Sequence, residues 1–175
     1  MQRRLLYLLL FTTTIATSTL YHPGSASATT AEGYKSTVLA VGRFSEINLS
    51  SSSPHNPKEE RNEQLWFSLQ QTKGPSDLFI QNNVWQPGGS TGWHTHPGHS
   101  LIIVTEGTVT EYMSDDPECK PHIYTQGMGF VDHGGEHIHL IRNESTVQAS
   151  TIALQLIPKG TERRIDAPAP ENCHF

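Results

Sequence analysis

The stretch Gly88-Gly89-Ser90-Thr91-Gly92-Trp93-His94-Thr95-His96-Pro97-Gly98-His99-Ser100, continuing through Leu101-Ile102-Ile103-Val104 to a glycine at Gly107, decides how this chain is read. It opens as a glycine-rich loop, passes two histidines one residue apart, and closes as an apolar run. Alternate side chains of a strand share a face, so His94 and His96 aim into the same space. His137 and His139 repeat that spacing later in the chain. Of ten histidines, seven lie between positions 94 and 139. Imidazole is a common ligand for zinc, iron, copper and nickel. Two such strands meeting inside a barrel would bring three or four nitrogens to one ion.

Outward from this stretch the pattern is short strands punctuated by turns. Segments 65–71, 78–85, 93–96, 100–105, 108–113, 122–125, 129–131, 137–142 and 147–157 read as strands, preceded by 37–41 and 44–49 around Gly42-Arg43. With 14 glycines, 11 prolines and no amphipathic helical pattern, about ten short strands predict an all-β sandwich or barrel. The chain divides into a leader (1–28), N-terminal strands with a flexible polar loop (29–63), the barrel (64–157) and an extended C-terminal tail (158–175). Residues 29–35 read as a disordered lead-in. In the strand after His99, Ser100, Ile102 and Val104 continue the inward register. Leu101 and Ile103 are apolar too, so both faces are expected to be buried. Trp93 is expected near the pocket mouth, and Glu106 and Glu111 are expected to face solvent. Gln155 shares a face with Ala153 and Ile157, where it serves as an inward polar contact or a surface residue.

The chain resembles the cupins. Their first motif, G-x5-H-x-H-x3/4-E-x6-G, is matched in spacing by Gly88, His94, His96, Ser100 and Gly107, with Ser100 standing where the family has a metal-binding Glu. Their second, G-x5-P-x-G-x2-H-x3-N, is matched by Gly127, Gly135, His139 and Asn143. His133 replaces the Pro there, and the gap from Gly135 to His139 is one residue too long, so His137 rivals His139 as third ligand. The resemblance implies a double-stranded β-helix, or jelly-roll barrel, of about ten strands. It also implies one divalent transition metal (Fe, Zn, Ni or Mn) held by His94, His96 and His139 or His137, and often a homodimer. Ser100, His99, Trp93, His133 and Gln155 are candidate pocket residues, with His99 also a substitute ligand. Lacking the Glu, three neutral imidazoles would leave the ion's full charge to polarise a water or attract an anion.

The ends of the chain bear on compartment. Arg3 and Arg4, an apolar stretch over 5–20, and Ala26-Ser27-Ala28 form the three parts of a secretory signal peptide, predicting a periplasmic or secreted protein with no membrane span after cleavage. Without residues 1–28 the chain carries ten basic against 17 acidic residues, which argues against nucleic acid as a partner. Cys119 and Cys173, an even pair in an oxidising compartment, are expected to form a disulfide; two separate thiols are the alternative. The sequence thus predicts an exported three-histidine cupin that binds or transforms a small, anionic molecule. Its alternatives are a non-catalytic or structural cupin, or an iron oxygenase of the thiol or diketone dioxygenase type. No catalytic residue is singled out, and enzyme and binder stay open.

Overall fold

A computed structural model describes residues 27–52 and 66–175. The expected signal peptide, apart from its last two residues, and most of the polar loop lie outside the described residues. Twelve strands and no helix occur among the described residues: β1 (Glu32–Phe44), β2 (Asn48–Ser52), β3 (Phe67–Gln71), β4 (Ser76–Ser90), β5 (His94–Thr95), β6 (Ser100–Glu106), β7 (Thr108–Met113), β8 (His122–Thr125), β9 (Gly129–Asp132), β10 (His139–Arg142), β11 (Ala149–Pro158) and β12 (Ile165–Asp166).

All pairings between these strands are antiparallel. One sheet runs β1-β4-β11-β6-β9 and a second runs β12-β5-β10-β7-β8; they join where Ser90 of β4 meets Arg142 of β10. Two sheets sharing one long strand curl into a barrel, whose inner faces bury Trp85, Ile102, Val104, Val109, Phe130 and Ile141. Strands β2 and β3 form a separate ribbon.

The glycines and the asparagine of the two histidine segments set the barrel's corners. Gly107 has φ +69°, and a Cβ there would come within 2.5 Å of the Gln148 carbonyl, so only glycine passes. Asn143, fully buried, ties the β10 end to the β4 end. Its Nδ2 donates to the carbonyls of Val147 at 2.7 Å and Gln86 at 3.2 Å, and its Oδ1 accepts from Ser145 N at 3.0 Å.

Several expectations need correction. Strand β1 runs unbroken through Gly42-Arg43, because Arg43 lies opposite Asp77 in the ladder and pairs with it (Nε–Oδ1 2.6 Å). It also begins within the expected disordered lead-in, and Thr29 N donates to Ala167 O at 3.0 Å. Ser50–Ser52 belong to β2 rather than to the loop. Strand β6 is buried on one face only: Ser100, Ile102 and Val104 point inward, while Leu101 and Ile103 are about half exposed.

The tail returns along the second sheet. β12 pairs with β5, and the Cys119–Cys173 disulfide fixes the end of the chain. Beneath it a second cluster buries Trp93, Tyr112, Leu140 and Ala167, with Phe175 against Tyr112 (centroids 4.5 Å). Ile165 of β12 is 48% exposed, so the tail is held there through its backbone pairing with Thr95. No helix among the described residues is long and apolar enough to cross a membrane.

Candidate metal centre

His94 on β5 and His139 on β10 are direct cross-strand partners, so their rings lie side by side with centroids 4.5 Å apart. His96, two residues beyond His94, adds a third ring edge-on to the first at 4.8 Å. One nitrogen of each lies within 4.8 Å of those of the others. His137 is not among them. The extra residue before His139 is absorbed by a turn in which His137 N donates to Gly134 O, leaving the His137 side chain half exposed with Nδ1 3.2 Å from Asp115 Oδ2.

The hydrogen bonds fix the tautomers of His94 and His139. His94 Nδ1 is 2.9 Å from the Gly92 carbonyl, His139 Nδ1 is 3.0 Å from Glu111 Oε1, and His96 Nδ1 meets the Arg163 carbonyl. The partners of His94 and His139 can only accept, so in those two rings Nδ1 carries the hydrogen and Nε2 presents a lone pair, whereas His96 Nδ1 lies between the Arg163 carbonyl and the Gln155 side-chain nitrogen at 2.8 Å. His94 Nε2 and His139 Nε2 then face one another at 3.3 Å as two acceptors. That arrangement is repulsive alone and favourable around a shared cation. Burial, reinforced by the neighbouring His139, holds the His94 imidazole well below the ordinary histidine value. Burial lowers His96 too, against the opposing pull of Asp132. Both are therefore neutral near pH 7, as metal ligands must be. The donor set, soft enough for a transition metal and backed by fixed acceptors, fits such an ion.

The three rings line a cavity of about 240 Å³. Its lining combines apolar Ile102, Ile141 and Ala153 with polar Gln81, Asn83, Arg163 and Arg164. Of the candidate pocket residues, Ser100 lines the cavity and donates to Asp132 Oδ2 at 3.1 Å. Gln155, 1% exposed, lies behind His96, its Nε2 donating to the Arg163 carbonyl at 3.0 Å and its Oε1 accepting from Arg163 Nε at 3.1 Å. Trp93 points the other way, into the cluster under the tail, because it immediately precedes β5, where successive side chains take opposite faces. His99 lines a separate depression beside Gln71 and Pro158, and His133 does not line the cavity, its ring tilted against that of His137 with centroids 5.4 Å apart.

Four residues at the cavity or directly behind its histidines were not read as functional from sequence. Glu111, expected in solvent, is 4% exposed and holds His139. Asp132 is 2% exposed beside His96. Both were readable from parity: Glu111 shares a strand face with Val109, and Asp132 with Phe130. Arg163 and Arg164 carried no such signal, since only the return of the tail brings them to the cavity.

This architecture, an antiparallel barrel with histidines from two glycine-led segments meeting inside, is the cupin fold. No protein-family model and no curated protein matches the sequence. Among solved structures, Peruvianin-I, described as a cysteine peptidase from Thevetia peruviana latex, is 31% identical over 45% of this chain and 49% of its own, with a TM-score of 0.39. An oxalate oxidase is 19% identical over 47% of this chain and 46% of its own (TM-score 0.39). A cupin superfamily protein from Desulfitobacterium hafniense is 14% identical over 63% and 78% (TM-score 0.40). The chain thus spans about half the length of the first two. At these scores the likenesses carry no inference about activity, and the fold rests on the chain's own strand order and segment placement.

Proposed function

We propose that this protein is an exported, metal-dependent cupin whose cavity takes a small anionic molecule next to a divalent transition metal held by His94, His96 and His139. The observation that carries the reading is the convergence of three imidazoles, one nitrogen of each within 4.8 Å of the others, with His94 and His139 oriented by fixed acceptors at Nδ1. A metal there would act as a Lewis acid on an oxygen brought to it.

The chain's own residues favour an acidic ligand. Among the described residues Arg163 has no carboxylate partner; its guanidinium contacts the side-chain oxygens of Gln155 and Gln81 and packs over Phe79. Trp85, 1% exposed at the cavity wall, has an Nε1–H with no acceptor among the described residues. A buried donor without a partner costs roughly 1–3 kcal/mol, and a ligand oxygen would relieve that cost. The volume of about 240 Å³ lies below the ~300–1,000 Å³ of drug-sized sites, so the ligand has few heavy atoms. Export is supported by the leader segment and by the disulfide.

Elemental analysis of purified protein after reconstitution tests the metal; less than a tenth of an equivalent of any transition metal overturns the reading. Titration of the metal-loaded protein with small mono- and dicarboxylates, followed by tryptophan fluorescence, tests the anion. Arg163→Met should weaken that binding by about one order of magnitude. Oxygen consumption by the iron-loaded protein with each ligand that binds separates an oxygenase from a binding protein.

A further inference from the structure

Where a carboxylate is missing from one strand, the barrel supplies another from the strand beside it. Ser100 on β6 and Asp132 on β9 are direct cross-strand partners. Both side chains point into the cavity, and both are shut off from solvent, at 3% and 2% exposure. The short side chain at 100 leaves room that a longer acid would fill, and its hydroxyl donates to Asp132 Oδ2 at 3.1 Å. Gly134 N donates to Oδ1 at 2.9 Å. These two bonds aim the carboxylate. They do not neutralise it, and among the described residues no Lys or Arg pairs with it.

What Asp132 does face is His96 Nε2, 3.4 Å from Oδ2. With its hydrogen on Nδ1, toward the Arg163 carbonyl, His96 would set an imidazole lone pair opposite this carboxylate oxygen. A buried carboxylate without a cationic partner is strongly unfavourable. A cation bound at His96 Nε2 would supply that partner.

We infer that Asp132 is the fourth, anionic ligand of the metal centre, taking from β9 the place that Ser100 leaves empty on β6. The inference rests on the three-histidine reading above. It makes the site three nitrogens and one oxygen and removes one unit of the ion's charge.

The test uses the full mature protein, with zinc and cobalt alone as probes. In a crystal structure of the zinc-loaded wild type, an Asp132 oxygen should lie about 2.0–2.2 Å from the zinc. Asp132→Asn, which keeps the acceptor for Gly134, should weaken zinc binding at least about tenfold against a competing chelator. It should also shift the visible absorption bands of the cobalt form. An Asp132 oxygen more than 3 Å from the zinc, or an Asn variant with wild-type affinity and cobalt spectrum, overturns the inference. His94→Ala separates it from the reading beneath. If that variant loses zinc while Asp132→Asn does not, only the inference falls; if His94→Ala binds as the wild type does, both fall. The wild-type crystal decides should the Asn variant fail to fold.

Discussion

Glu111 Oε1 lies 3.0 Å from His139 Nδ1, with the two side chains 5% and 2% exposed. Such a carboxylate orients the ring, fixes its tautomer and raises the basicity of the opposite nitrogen. Tyr124 OH, 3.3 Å from Oε2, holds the acid from its other side. Replacing Glu111 by Gln keeps the volume and removes the charge. The expected outcome is a loss of zinc or cobalt affinity of about 10–100-fold, read by chelator competition, with the circular dichroism spectrum unchanged.

His137 and His139 give opposite expectations. His139→Ala empties a fully buried position of the ring cluster and should abolish metal binding. His137→Ala removes an exposed ring that touches Asp115, and affinity and melting temperature should stay within error of the wild type. Equilibrium dialysis of the two variants side by side measures this, and the reverse order would place the third ligand on His137.

The metal-free protein should lose stability as the solution becomes acidic. The folded-state values of His94 and His96 are lowered by burial. Above about pH 6.5, the ordinary histidine value, neither the folded nor the unfolded chain protonates these rings and they add no pH dependence. Below it the unfolded chain takes up protons that the folded chain refuses until a lower pH, so unfolding is favoured. Urea midpoints measured between pH 7.5 and 5 should fall, and His94→Gln should flatten the slope.

The disulfide should matter to the centre as well as to stability. Cys119–Cys173 spans 54 residues, and replacing both by Ala should cost about 2–4 kcal/mol in urea unfolding. The tail it tethers also carries the Arg163 carbonyl that orients His96. Metal affinity should therefore fall in the double variant and in reduced wild type. A variant with lower stability but unchanged affinity would show that β12 alone suffices to hold Arg163.

Legibility in the sequence followed how local the cause was. Gly107 and Asn143 could be read because a steric corner and a clamp need particular residues at fixed spacing. His94 and His96 could be read because strand alternation is a local rule. Glu111 and Asp132 obey that same rule, yet an acid on an otherwise unremarkable strand invites the solvent reading unless its parity is followed from Val109 or Phe130. His139 could not be separated from His137 by spacing, since a two-glycine turn decides which one enters the strand. Trp93 was placed near the pocket by adjacency to His94, where alternation sends it to the opposite face. Arg163 and Arg164 depended on a tail crossing the second sheet, which no residue near them announces.

The acceptor that orients His96 lies 67 residues further along the chain, and His94 meets its partner ring 45 residues on. Under the proposed export route, with the N-terminus leading, His94 and His96 emerge well before anything that can turn them toward a common point. A pair of unoriented histidines is a poor chelator. The grip therefore tightens only after the last stretch of chain has arrived and its thiols have been oxidised. Which element the protein carries would thus be chosen by the ions present at its destination rather than by those where it is synthesised.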